Sequence, residues 1–497
     1  MLLLALLLIP VATAAASFFV RRRKEMEAAN LAGFGLGFLI AIVLAAQVLA
    51  RGTVSLANGF FYADALSALV ILLTALVALV CATYSIGYLR DDQKSGELGD
   101  DPSGKEQLAQ LRMYYTLTPL FVFSMMFMAV ANNLGVMWAA IEATTLVSVF
   151  LVTFYGKVTS LEAAWKYAII GGVGLSMALF GTLVAYYAGH RLAGSDALVG
   201  LNWSVLAQHA ELLDKTSMRL AFVLILMGYG TKAGLAPMHT WKPDAYSEAP
   251  VPSAAILSSA MLNCALYGLI RFYILTSRSL GPEYPGRLLL LFGLLSMGIS
   301  VPFILVQKNY RRLLAYHTID HAGIMVTALG LGGALGTLGL MLHMTFHTIA
   351  KSLLFLCAGN VHQHFKTDLF SEIKSSVIRI MPLTGVIFLM AMLAIIGMPP
   401  FSLFQSEFLI VRAAFDGGHL LTGVLFVLFG TGVFAGALLH VGGMILGPRG
   451  DTPAAAPRPW RDGSILALAA ALVVIGFWVP APVLALIRGA AQVVSGQ

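Results

Sequence analysis

The chain alternates long apolar runs with short stretches of polar residues, glycine and proline, and this pattern predicts most of its elements. A membrane span needs ~20 mostly apolar residues. Runs of that kind fall at 1–20, 31–50, 64–89, 113–131, 133–155, 163–188, 217–238, 251–276, 287–306, 312–331, 333–359, 379–411, 418–447 and 463–487. The expected fold is an all-α polytopic membrane protein of about fourteen spans, with little chain left over. As a single membrane domain it divides into peripheral helices over 1–112, five-helix units over 113–276 and 287–447, and a last helix over 463–487.

Two of these runs are interrupted. In Gly228–Pro252, GYGTKAGLAPMHTWKPDAYSEAPVP, Lys232 stands five residues ahead of Pro237. In 379–411, Pro399 and Pro400 stop the run ahead of Glu407. Proline halts the helical hydrogen-bond ladder, and the freed carbonyls are tolerated at membrane depth only against protein or a wet cavity. Lys232 and Glu407 are 175 residues apart, as are Glu142 and His317. The matched positions lie an odd number of spans apart, so the spacing predicts two inverted five-helix repeats. Paired broken helices in two halves point to a transport site.

Composition supports the membrane assignment. The chain is 59% hydrophobic and 11% charged, with a mean hydropathy of +0.84, too little polar surface to coat a soluble globule of 497 residues. Cys81, Cys264 and Cys357 sit singly in apolar runs, without the spacing an iron–sulfur cluster or structural zinc requires, so no redox cofactor is expected. The net charge of +7 is spread over short loops and marks no nucleic-acid surface. Loops after odd-numbered spans carry nineteen Lys and Arg, those after even-numbered spans eight. That asymmetry predicts both termini outside. The first run has no basic residue ahead of it and Arg21–Lys24 directly behind, which fits a retained helix better than a cleaved signal. Arg90–Arg112 reads as a solvated connector without chemistry, and Arg191–Thr216 as an outside loop with a short interfacial helix near Trp203–Leu213.

Ionisable residues inside the runs are few, and the candidates for chemistry are Glu142, Lys232, His317, Asp320, His321, His343, His347, Lys351 and Glu407. An intramembrane charge is expensive and needs a partner or a use. Lys232 is the natural partner of Glu142, with a fixed ion pair as the bland alternative. His343, His347 and Lys351 recur every four residues and form one helical stripe ~12 Å long at ~1.5 Å rise per residue. Imidazole accepts a proton at one nitrogen while releasing one from the other, so the stripe reads as a proton wire. A metal site is the rival, but no third ligand or HExxH glutamate accompanies the pair in sequence. His317, Asp320 and His321 closely follow an inside loop and are expected at shallow to intermediate depth, either as an uptake mouth or as loop anchors. His362 and His364 are expected in the next polar loop.

The segments WAAIEATTL, GTKAGLAPMHTWKPDAYSEAPVPSAAILS, NYRRLLAYHTIDHAG, HMTFHTIAKSLLFLCAGNV and GMPPFSLFQSEF resemble the antiporter-like membrane subunits of respiratory complex I, Mrp-type cation/proton antiporters and membrane-bound hydrogenases. The likeness covers roughly residues 60–450. AYHTIDHAG and LNCALYGLIRF are most similar to the hydrogenase-4 component F group. The resemblance implies a mid-membrane Glu142–Lys232 pair, a hydrophilic axis continuing through His347 and Lys351, and an end at Glu407. It also implies other antiporter-like and small membrane subunits, a soluble hydrogenase or dehydrogenase module, and a location in the cell (inner) membrane. Many complex I members carry a lysine where this chain has Asn263. The chain runs ten residues past the last expected span, so no long lateral helix is expected. The leading expectation is a proton-translocating membrane-arm subunit without a redox cofactor of its own. The alternatives are a Mrp-like sodium/proton antiporter subunit and a non-pumping scaffold.

Overall fold

The computed structural model describes residues 1–98, 104–189, 199–448 and 453–496. Arg191 and Arg449, both counted in the charge asymmetry, lie outside the described residues, as do 99–103 of the Arg90–Arg112 connector.

The helices run in the order α1 (Leu2–Phe19), α2 (Arg23–Arg51), α3 (Ala65–Lys94), α4 (Lys105–Val130), α5 (Leu134–Val152), α6 (Val158–Ala188), α7 (Trp203–Gln208), α8 (Lys215–Ala233), α9 (Trp241–Glu248), α10 (Val251–Ser258) and α11 (Ala260–Leu280). They continue with α12 (Glu283–Leu305), α13 (Tyr310–Leu331), α14 (Gly333–Phe365), α15 (Val377–Ile380), α16 (Pro382–Ile395), α17 (Ser402–Asp416), α18 (Leu420–Leu446), α19 (Pro459–Phe477) and α20 (Ala481–Ser495). A small antiparallel ribbon, Val54–Leu56 with Phe61–Ala63, joins α2 to α3. Side-chain caps begin several spans: Asp64 accepts from Ser67 N–H at α3, Asn133 from Gly135 and Val136 at α5, Asp214 from Ser217 at α8, and Asn309 from Arg312 at α13. Each satisfies donors that the first helical turn leaves free.

Eleven helical stretches among the described residues are long and apolar enough to cross a membrane. Helix α8, helix α13 and the split pair α16–α17 are not among them. Those three segments carry Lys232, the His317–His321 group and Glu407 and fall short in length or hydropathy, whereas α5 and α14 carry Glu142, His343, His347 and Lys351 and still qualify. They are affordable because neighbouring helices, not lipid, surround the charged groups. The stretch Val251–Leu280 and helix α14 are enclosed by protein along their apolar length and form the centre of the bundle.

Close helix contact at this centre depends on small residues. On α12, Gly286 and Gly293 face Gly330 and Gly323 of α13. A Cβ on Gly323 would stand 2.7 Å from the Gly293 carbonyl oxygen, and one on Gly330 2.9 Å from that of Gly286. The backbones therefore touch, as small-residue helix interfaces in membranes allow. Gly228 of α8 similarly abuts Ala178 of α6.

The structure revises several expectations. Helix α3, expected at the periphery, is buried along most of its length and packs against α2, α4, α19 and α20. The last span divides: α19 ends before Pro480, whose ring cannot continue a helix, and α20 lays Leu486, Ile487, Ala490, Ala491 and Val494 against the bundle. His362 and His364 belong to the last turns of α14 rather than to a loop. The short helix near Trp203 is present as α7, followed by a 3-10 turn at Ala210–Leu212. Three of the nineteen presumed loop cations, Lys242, Arg311 and Arg461, are buried. Arg461 donates to Asn360 Oδ1 at 2.7 Å and Asp91 Oδ2 at 2.8 Å, tying α19 to α14 and α3. Arg271 within α11 was missed as a buried charge. It pairs bidentately with Asp64 at 2.7 and 2.8 Å and lies 4.1 Å from the Trp203 ring.

Replacing Gly323 with leucine should force α12 and α13 apart and lower stability by about 1–3 kcal/mol, the usual cost of overpacking. Gly443→Leu, at a position with no atom within 4 Å of an added Cβ, should stay close to the parent. Thermal unfolding in detergent compares the two, and equal melting temperatures would contradict the close-contact account.

Candidate functional site

Lys232 occupies the last turn of α8, which closes at Gly234 in a left-handed conformation with φ of 71°. The negative end of the helix dipole favours a cation there. Its side chain is 1% exposed, and Nζ donates to Thr145 Oγ1 at 2.8 Å and Tyr167 OH at 2.7 Å. The same ammonium lies 5.0 Å from the centroid of the Tyr167 ring. Thr145 is one helical turn beyond Glu142 on α5, so acid and amine share a neighbourhood. The expected direct pair is nevertheless not formed: no Glu142–Lys232 contact within 4.0 Å occurs among the described residues, and Glu142 Oε2 is buried without a hydrogen bond. Two hydroxyls hold the lysine in place of the carboxylate. Sequence reasoning had no signal for Tyr167 and Thr145, which are ordinary residues on other helices.

The break after Ala233 is satisfied by its own continuation. Trp241 Nε1 donates to Thr231 O at 3.0 Å, Lys242 Nζ donates to Ala233 O, and Ala236 N–H donates to Ser296 Oγ at 2.9 Å. Pro237 lies inside this break, and Pro399 with Pro400 inside the one between α16 and α17. Both Ala236–Pro237 and Pro399–Pro400 are cis. Pro237 and Pro400 are 163 residues apart, not 175, so Lys232 precedes its break whereas Glu407 follows its own.

Helices α13 and α14 bring four histidines together. His317 and His321 are both buried in the bundle, and their rings join those of His343 and His347. Ring centroids lie 6.4 Å apart for His317–His321, 5.1 Å for His321–His343, 5.0 Å for His321–His347 and 6.3 Å for His343–His347. The hydrogen bonds fix a direction. Ser406 donates its hydroxyl to Leu403 O at 2.8 Å, so it accepts from His343 Nδ1 at 2.9 Å. Neutral His343 then carries its lone pair on Nε2, which accepts from His321 Nδ1 at 2.8 Å. This tautomer assignment follows from the hydrogen-bond network. It leaves His321 Nε2 as a buried acceptor with no partner, and both ring nitrogens of His317 and His347 are likewise free.

Lys351, one turn along α14 from His347, is fully buried, and its Nζ makes no hydrogen bond but lies 5.9 Å from the Phe355 ring centroid. Asp320 is 2% exposed and within electrostatic reach of both Lys351 and Glu407. It is a stronger member of the cluster than its place beside an inside loop suggested. Glu407, partly buried on α17, folds against the backbone of Gly397. One ligand atom each from His321, His343 and Glu407 lies within 4.8 Å of the others, a group that contains only His343 of the His343–His347 pair weighed from the sequence. A cation there would have to displace the His321–His343 hydrogen bond.

At the charge-rich end of the bundle, a cleft of about 230 Å³ is bordered by Asp92, Glu97, Glu248, Arg311, His362 and Asp368. Burial opposes ionisation of Asp368, but the Arg311 guanidinium and His362 at 2.9 Å hold its carboxyl below the usual range.

Residues 131–434 match the family described as NADH:quinone oxidoreductase/Mrp antiporter, TM. The chain belongs to this family. The matched region of this antiporter-family chain runs from the start of α5 into α18 and includes the charged and imidazole groups from Glu142 to Glu407. It is 38% identical over 395 residues to a hydrogenase-4 component F homolog of Methylacidiphilum infernorum, covering 80% of this chain and 81% of the relative. It is 30% identical over 407 residues to NADH-quinone oxidoreductase subunit N of Desulforudis audaxviator, covering 78% and 76%. Its fold is that of a chain in the membrane-bound sulfane sulfur reductase, an archaeal respiratory membrane complex, with a TM-score of 0.87 at 24% identity over 99% and 98% of the two chains.

Ser406→Ala should leave His343 Nδ1–H buried without an acceptor and lower stability by about 1–3 kcal/mol. Ser402→Ala removes a hydroxyl that makes no hydrogen bond and serves as the control. Should thermal unfolding of the two variants coincide, the assigned direction of the histidine chain is wrong.

Proposed function

We propose that this antiporter-family chain is a proton-translocating membrane-arm subunit of a hydrogenase-4-like or complex I-like oxidoreductase. The observation that carries the reading is the run of titratable groups from Lys232 through His347, His321 and His343, all buried, to the partly buried Glu407. A charge at such depth marks an ion pathway more often than a structural pair. Fourteen spans in two inverted repeats, both termini outside, and residence in the cell membrane complete the proposed topology. The partners are other antiporter-like and small membrane subunits and a soluble hydrogenase or dehydrogenase module, which supplies the redox chemistry.

In this scheme Lys232 exchanges between two settings. Bound to Thr145 and Tyr167, its ammonium has oxygens and a ring face but no counter-charge. Swung toward Glu142, it gains an ion pair worth ~4 kcal/mol at 4 Å and an effective dielectric of ~20. An input that shifts Lys232 between these settings changes its hold on the proton. The released proton then passes to the histidine cluster, where His321 Nε2, His317 and His347 offer unpaired nitrogens. Transfer of sodium ions is the weaker reading. Hard cations prefer oxygen ligands, and the one three-residue group dense enough to hold a cation among the described residues supplies two imidazoles and a single carboxylate.

With the parent complex in vesicles, Lys232→Ala or Glu142→Gln should abolish redox-driven proton uptake, followed with a pH-sensitive dye. Unaltered coupling in both variants sinks the proposal.

A further inference from the structure

We infer that Lys242 is a working member of the charge path, the link between Lys232 in the first half and Lys351 in the second; this rests on the proton-translocating reading above. Lys242 is 0% exposed, and no carboxylate lies within 4.0 Å of it among the described residues. Its Nζ donates to Ala233 O, the carbonyl freed where α8 stops. Its aliphatic arm fits because residue 234 is glycine: a Cβ there would come within 2.3 Å of Lys242 Cε and 2.4 Å of Cδ. The chain therefore leaves a slot for this lysine at a position whose φ of +71° also favours glycine.

The placement follows a row of aromatic rings that joins the two halves. Tyr167 stacks on Trp241 at 4.4 Å, Trp241 meets Tyr246 at 5.9 Å, and Tyr246 meets Phe355 at 6.1 Å. Lys232 lies over the first ring at 5.0 Å and Lys351 over the last at 5.9 Å. Lys242 lies over the two middle rings, at 6.0 Å from Trp241 and 5.8 Å from Tyr246. Its charge acts on those of Lys351 and His347, and that of Lys232 acts on it. Three amines on one row of π faces, unsupported by an acid at the middle position, disfavour being charged together. A proton on one pushes against a proton on the next.

The step balances simply. Lys232 loses one N–H bond and becomes a neutral amine, and Lys242 gains that proton and becomes an ammonium. The same exchange then carries it to Lys351 or His347. Asn263, on α11, cannot replace this link: its amide donates to Thr348 Oγ1 at 2.7 Å, its Oδ1 is unpartnered, and it has no titratable proton. It does, however, stand against α14 at the residue next to His347, so a lysine at 263 would reach the same junction.

The test uses the full chain in its parent complex, reconstituted in vesicles, with four variants: Lys232→Ala, Lys242→Met, Asn263→Lys and the double variant Lys242→Met/Asn263→Lys. Methionine keeps the arm in the Gly234 slot and removes the charge. Assembly is checked by native electrophoresis and redox-driven proton uptake by a pH-sensitive dye. We expect Lys232→Ala and Lys242→Met each to reduce proton uptake per electron at least tenfold in assembled complex, and the double variant to recover a third or more of the parent value. If Lys232→Ala loses uptake while Lys242→Met keeps it, the link is overturned and the proposed function stands. If Lys242→Met loses uptake and Asn263→Lys restores none, Lys242 only braces the Ala233 carbonyl and the inference fails. If Lys232→Ala itself keeps full uptake, the proposed function is what has failed.

Discussion

An amine buried among membrane helices must be met by oxygen atoms or ring faces, because neither water nor lipid supplies them there. The broken span after Ala233 is where this chain meets that demand, and much of the surrounding packing follows from it. Ending α8 early exposes carbonyls in the bundle, and these become the partners of Trp241 and Lys242. The same break leaves Lys232 on the final turn, where Tyr167 reaches it across the close α6–α8 contact at Ala178 and Gly228 and Thr145 reaches it from α5. A bulkier contact between those helices would carry Tyr167 away from the ammonium.

The two halves solve the same problem with different chemistry. Around Lys232 and Lys242 the partners are hydroxyls, carbonyls and aromatic faces, all of which fix a cation without exchanging its proton. Around Lys351 they are imidazoles and carboxyls, which do exchange protons. The hydrogen bonds from His321 through His343 to Ser406 and the Leu403 carbonyl give that region an orientation in its neutral state, and reversing it requires both imidazoles to change tautomer and the Ser406 hydroxyl to leave the Leu403 carbonyl. Lys232 stands before its break and Glu407 after its own, so the correspondence between the halves is one of architecture more than of residue position.

Much of this was legible in the sequence, for identifiable reasons. Apolar runs located the helices because hydropathy is a local property, and the prolines located both breaks because a missing N–H acts where it stands. The histidine stripe on α14 was visible because four-residue spacing maps onto one face. Burial that depends on distant helices was not visible. Lys242, Arg311 and Arg461 each follow polar or proline-rich sequence and looked like loop cations, yet carbonyls and side chains from other segments enclose them. For the same reason the full enclosure of His317 and His321 was not visible: distance along the chain from an inside loop says little about how much protein covers a helix. The break at Pro480 was overlooked because the apolar run continues through it, and composition there outweighed the proline signal.

Exposure along the axis has its own logic. Every group from Lys232 to Lys351 is enclosed by this chain, but Glu142 and Glu407 are only partly buried. Leu146 and Phe150, one and two turns beyond Glu142 on α5, are 61% and 57% exposed, so the glutamate sits at the rim between the bundle and its surroundings. Groups in the interior must find their partners within the fold, and that requirement explains why α10, α11 and α14 are wrapped on all sides. A carboxyl at the rim has no such constraint, so its charge can respond to whatever lies against that face. The fold therefore encloses the groups from Lys232 to Lys351 and leaves the two carboxyls at its rim, so that in the proposed scheme a change outside the chain acts first on Glu142 and reaches Lys232 on α8 past Thr145, one turn from Glu142 on α5.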